Sequence, residues 1–201
     1  MGGLFSNQTE IPWLNSYEKS WKKITQNNKT PHAILISGNR GIGKRAFAAW
    51  LATEHLDITT KYKGCIYPFA VPSHADLKWI RPNEGKRDIS VDQIRQIIDD
   101  LSMSSYEGIG KVTVIEPVNK MNISSANSLL KILEEPPGNT LIILIADKMK
   151  NIPATIISRC QHIKIYPPTE DESREFINHI HPDANIGKID PYILLSPLIY
   201  E

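Results

Sequence analysis

Five short runs along the chain read as strands: "AILIS" (33–37), "DLKWI" (76–80), "KVTVIE" (111–116), "TLIILIA" (140–146) and "HIKIY" (162–166). "AILIS" is apolar almost without a break, which suits a strand that is covered on both faces. Between them, apolar residues recur three and four positions apart, the period of a helix with one buried side. Strand and helix patterns in alternation predict an α/β domain with a parallel sheet. "TLIILIA", apolar throughout, predicts the centre of that sheet.

The polar stretch "YEKSWKKITQNNKTPHA" predicts a first helix that ends near Asn27–Asn28, with Pro31 preventing continuation. A second helix over 45–56 carries Ala46, Ala49, Trp50 and Thr53 at helical spacing. Residues 59–75, with two prolines and no period, read as a loop or small insertion. In "ISVDQIRQIIDDLSM", Ser90 with Gln93 three residues on forms a capping box, in which each side chain satisfies a free N–H of the first turn. Val91, Ile94, Ile97, Ile98 and Leu101 are its buried stripe. Residues 124–138 predict a helix with Ala126, Leu129, Leu130 and Leu133 on one face, stopped by Pro136–Pro137. A short helix over 153–160 starts at Pro153, and a new helix begins after the proline break at 167. The expected division is a core domain over 1–167 followed by a partial helical unit over 168–201.

Composition narrows the function classes. With 23 Lys and Arg against 22 Asp and Glu the net charge is +1, which excludes a strongly basic nucleic-acid coat. Lys22, Lys23, Lys61, Lys63, Lys86 and Arg87 are scattered, without the interleaved aromatics that would stack on bases. No apolar run reaches the roughly 20 residues of a membrane span, and no secretory signal opens the chain. The first residues, Met-Gly-Gly with Ser6, match a myristoylation pattern of a kind that chance often supplies. Cys65 and Cys160 stand far apart, which fits a reducing, cytoplasmic setting and leaves too few ligands for zinc.

The first strand runs into Gly38-Asn39-Arg40-Gly41-Ile42-Gly43-Lys44-Arg45. A G-x-x-x-x-G-K loop between strand and helix turns its backbone N–H groups inward and offers a lysine, a cradle for phosphates. A nucleotide hydrolase carries Ser or Thr after that lysine, to hold Mg²⁺; here the residue is Arg45. A guanidinium cannot ligate a cation. It can pair with a phosphate, or simply be a solvated first-turn residue. The third strand ends in Glu116-Pro117, where such enzymes place a carboxylate for Mg²⁺ and a base for water. Glu116 reads equally well as that carboxylate and as an ordinary strand end.

"SANSLLKILEEPPGNTLIILIA" followed by "PATIISRC", with "SHADLKWIRP" and "ISVDQIRQIIDDLSMSSYEGIGKVTVIE" ahead of them, resembles the delta prime and gamma/tau subunits of the bacterial DNA polymerase III clamp loader. The resemblance covers about Pro31 to Pro168. It implies an AAA+ fold, a P-loop NTPase-like three-layer sandwich with a five-stranded parallel sheet, followed by the start of a small helical lid. It implies partners: other clamp-loader subunits, and the sliding clamp and primed DNA through the assembled complex. Arg159, in Ser-Arg-Cys, falls on the arginine that such subunits project into a neighbour's ATP site; on the residues alone, an arginine held in an internal salt bridge is the other reading. Arg45, Pro117 and Ala146 replace three positions that hydrolysing relatives use. ATP or ADP is therefore expected to bind weakly if at all, with no metal. The chain is expected to stop short of the family's third domain, a helical collar. Two other readings stand beside a non-hydrolysing clamp-loader subunit: an active ATPase of the gamma/tau type, and an interaction module without nucleotide.

Overall fold

The computed structural model describes residues 8–26, 30–59, 64–183 and 189–199. Asn27, Asn28, Lys61, Lys63 and the Met-Gly-Gly start lie outside the described residues. In chain order the elements are β1 (Thr9–Glu10), α1 (Asn15–Thr25), β2 (Ala33–Ser37), α2 (Lys44–His55), β3 (Ile66–Tyr67), β4 (Leu77–Ile80), α3 (Val91–Ser102) and β5 (Lys111–Ile115). Then follow α4 (Ile123–Glu134), β6 (Thr140–Ala146), α5 (Ala154–Ile157), β7 (Gln161–Lys164), α6 (Glu170–Ile180) and α7 (Pro191–Leu194).

Five strands form one parallel sheet in the order β4-β5-β6-β2-β7, so β6 is central as its composition predicts. Alternation along the strands separates two cores. Ile34, Ile36, Val114 and Ile143 face Phe47, Trp50 and Leu51 of α2 and Trp21 of α1. Leu35, Ile115, Ile142 and Leu144 face Ile94 and Leu101 of α3, Leu129 and Leu133 of α4, and Ile156 of α5. A sheet that is apolar on both faces must be covered twice, and three layers result.

Several elements differ in detail from the sequence reading. The capping box at Ser90 and Gln93 is present, but of the α3 stripe only Ile94, Ile97 and Leu101 are buried. On α4 the buried residues are Ser125, Ala126, Leu129, Ile132 and Leu133, and the helix ends at Glu134, before the prolines. The last sheet strand is Gln161–Lys164 and not 162–166; it is an exposed edge, where burial imposes little pattern. Residues 59–75 are not wholly loop. Ile66–Tyr67 pairs antiparallel with Thr9–Glu10, and this small ribbon places Cys65 in the core, its N–H donating to Glu18 Oε1 at 2.7 Å. Past residue 168, Phe176 of α6 packs into the first core beside Trp13, while Ile177, Ile189 and Leu194 make a small cluster of their own.

At the opposite end of the sheet from the glycine loop, buried Asp76 accepts the N–H groups of Tyr106 (2.8 Å) and Glu107 (3.0 Å), tying down the segment between α3 and β5. Burial pushes its carboxyl up, but those two donors and the charges of His74 and Lys111 outweigh this and hold it below its ordinary value. A depressed carboxyl means that the unfolded chain binds the proton more readily. Its stabilisation is thus complete above the ordinary aspartate value of about 4 and is lost as pH falls through the lowered folded value. Asp76→Asn is expected to be less stable than wild type by a constant margin near neutrality, a margin that narrows below about pH 4 in acid-unfolding curves.

Candidate functional site: a glycine loop with its charges satisfied from within

All five sheet strands run the same way, so the residues that follow them meet at one edge. Register pairs Ser37 with Ala146, Ile115 with Leu144 and Ile80 with Ile115. Gly38, Asp147, Glu116 and Arg81 are the next residues of β2, β6, β5 and β4, the edge where open parallel sheets hold ligands.

The loop from Gly38 to Gly43 joins β2 to α2. Gly38 has φ +148°, and a Cβ there would collide with the carbonyl oxygen of Ile165. The inner side of the loop rests on the 3-10 turn Pro12–Leu14: Trp13 Nε1 donates to the carbonyl of Ile42 at 2.9 Å, and Ile42 is fully buried. The outer side is covered by Ser196–Ile199. Leu198 N–H donates to the Gly41 carbonyl at 3.0 Å, and a Cβ on Gly41 would lie 2.7 Å from Ile199 Cγ2. Asn39 and Arg40 are exposed.

Lys44 opens α2 and is buried. Its Nζ donates to the carbonyls of Gly38 (2.9 Å) and Asn39 (2.5 Å) and pairs with Asp147 Oδ1 at 2.8 Å. Burial lowers its pKa, and the Asp147 carboxylate opposes that shift without cancelling it. Arg45 donates through Nε to Glu116 Oε1. The other carboxylate oxygen, Oε2, accepts from Trp79 Nε1 at 3.0 Å and from Arg81 Nε at 3.1 Å. The Glu116 side chain is 8% exposed, so these three donors are its surroundings. Arg45 and Glu116, singled out separately from the sequence, are thus in direct contact.

Mg²⁺ requires hard oxygen ligands at about 2.0–2.1 Å in an octahedron. Position 45 offers no oxygen, and both oxygens of Glu116 are engaged by cationic and indole donors. The residues present do not fit a magnesium ion. Ala146 is fully buried and presents no polar group.

Arg159 lies apart from this cluster, two residues past α5. Nη2 pairs with Glu134 Oε1 at 2.5 Å and Nη1 donates to the Thr155 carbonyl at 2.9 Å. Both side chains of the pair are partly exposed, at 34% and 50%. Asp147, Arg81, Trp79 and Glu134 escaped the sequence reading. The first two had a usable signal, since each is the first polar residue after a parallel strand.

A parallel sheet in this order, with a phosphate-type loop after β2 and a carboxylate after β5, defines the AAA+ P-loop fold. Solved structures agree. A DNA polymerase III gamma subunit-related protein from Thermotoga maritima superposes with a TM-score of 0.59 at 20% identity, over 89% of this chain and 57% of that one. The RuvB Holliday junction branch migration motor of the same organism gives 0.52 at 13% identity, over 85% and 50%. The family described as "DNA polymerase III, delta subunit" matches residues 13–169, and the chain belongs to it. It is 31% identical to the DNA polymerase III subunit delta' of Pseudomonas aeruginosa over 92% of this chain and 57% of the relative. It is 33% identical to the subunit gamma of Buchnera aphidicola from Schizaphis graminum over 76% and 43%. The chain therefore spans about half the length of the curated relatives it matches. Among the described residues no helix is long and apolar enough to cross a membrane.

Proposed function

We propose that this chain is the AAA+ part of a delta prime-like clamp-loader subunit of bacterial DNA polymerase III, acting in the cytoplasm beside gamma/tau and delta subunits to place the sliding clamp on primed DNA. Its own loop does not hydrolyse ATP; its contribution to catalysis is Arg159, offered to the ATP site of a neighbour. Family membership supports the setting. The observation that carries the division of labour is the Arg45–Glu116 pair, which occupies both positions that a hydrolysing relative would use for magnesium. Without that ion, no metal bridges the β- and γ-phosphates or orients the transferring phosphoryl group and its nucleophile.

Two measurements test this. The purified chain with ATP and Mg²⁺ is expected to show no turnover, and Lys44→Ala to leave that baseline unchanged. Added to a gamma-type subunit together with the remaining loader subunits, the chain is expected to raise the ATP turnover of the assembly. Turnover by the chain alone that disappears in Lys44→Ala would instead identify an active ATPase of the gamma/tau type.

A further inference from the structure

Around Glu116 two guanidiniums are held in an unusual way. Arg45 and Arg81 each touch the carboxylate through Nε alone. Among the described residues neither has a partner for its terminal Nη groups, and the two side chains are 54% and 43% exposed. Arg81 is further steadied by the ring of Trp79, whose centroid is 5.7 Å from its Cζ. One buried anion therefore fixes two cations side by side and leaves their outward donors free. Arg45 is also the second residue of α2, where the backbone N–H groups add positive potential. The five charges of the cluster, Lys44, Arg45 and Arg81 against Glu116 and Asp147, sum to a positive site.

Guanidinium donors of this kind match phosphate oxygens in geometry and charge. They also supply what a divalent ion ordinarily supplies to a bound triphosphate, which is charge neutralisation. The Gly41 side of the loop is covered by Ser196–Ile199, whereas the side chains of Arg45 and Arg81 are about half exposed. We infer that Arg45 and Arg81, braced by Glu116, form a binding site for a di- or triphosphate chain that needs no divalent cation. The ligand is bound and not split. The inference depends on the misfit of magnesium and is independent of the role of Arg159.

Calorimetric titration of the full chain with ATP, and separately with sodium tripolyphosphate, in excess EDTA and again in Mg²⁺, tests it. Saturable binding is expected in EDTA, no weaker than in Mg²⁺, because the free polyphosphate carries the greater charge. Equal affinity for the two ligands assigns the site to the phosphate chain alone; tighter binding of ATP adds a contact to the nucleoside. Arg45→Gln and Arg81→Gln are each expected to weaken binding roughly tenfold or more, the usual worth of a hydrogen bond to a charged group. Arg81→Gln leaves Arg45 on Glu116, and serves if the variant at 45 fails to fold. Binding that requires Mg²⁺, binding untouched by either substitution, or no saturable binding of either ligand overturns the inference. None of these outcomes bears on stimulation of a neighbour's ATPase, so the two proposals fail separately.

Discussion

In a reconstituted loader whose hydrolysing site faces this chain, Arg159→Ala is expected to lower single-turnover ATP hydrolysis at that site by about a thousandfold, the lower end of what an arginine supplied in trans is worth. The magnitude rests on where the charge develops. A guanidinium aimed at a transferring phosphoryl group, inside an interface that excludes water, stabilises the transition state far more than the ground state. Arg159 must first leave Glu134. The pair is partly exposed on both sides, and such pairs are worth about 0–1 kcal/mol. The loss is small against the charge-assisted, forked contact that a phosphate offers. Arg159→Lys should restore little, because an ammonium lacks the planar fork. Assembly, followed by gel filtration, should be unaffected, which separates a catalytic loss from a broken interface. Turnover unchanged in Arg159→Ala would mean that the residue only ties α5 to the end of α4.

The fold was legible to the degree that burial wrote a pattern. β2 and β6 are covered on both faces, and their observed limits, Ala33–Ser37 and Thr140–Ala146, coincide with the apolar runs. β7 lies at the edge with three of its four residues exposed, and its limits shifted. β1 and β3 have two residues each, below the length at which any period can be seen. α2 is buried almost all round, from Ala46 to Thr53, so its sequence displays less of a stripe than α3 does.

The candidate site was legible along the chain and illegible across it. The glycine loop, Lys44, Arg45 and Glu116 stand out because a local motif or a strand end marks them. What neutralises them depends on register. Asp147 reaches Lys44, and Arg81 and Trp79 reach Glu116, only because β6 and β4 are parallel neighbours of the strands that carry the motif and end level with them. The cover over Gly41 comes from residues 196–199, more than 150 positions away, and no spacing rule connects the two. Arg45, at a position where a hydrolysing loop carries Ser or Thr, thus has a structural consequence that the motif alone does not reveal. It is a cation that the strand-end carboxylate Glu116 balances.

That balance predicts the largest stability effect at the site. Glu116→Ala is expected to destabilise the chain by about 2 kcal/mol, since the hydrogen bonds to its buried carboxylate are lost and the Trp79 indole is left without an acceptor. In a domain of this size that lowers the melting temperature by about 4–8 °C. The cost falls unevenly. The two guanidiniums are about half exposed and recover water, whereas Trp79 Nε1 loses the acceptor it had at 3.0 Å. Arg45→Ala should cost less than about 1 kcal/mol, because Glu116 keeps Arg81 and the indole. The decisive quantity is the double variant. With Glu116 already replaced, removing Arg45 should cost nothing further or should restore some stability, by taking away a cation that has lost its anion. Additive losses in that cycle, measured by urea unfolding, would show that Arg45 and Glu116 are stabilised independently and that no pair stands in the place of the metal.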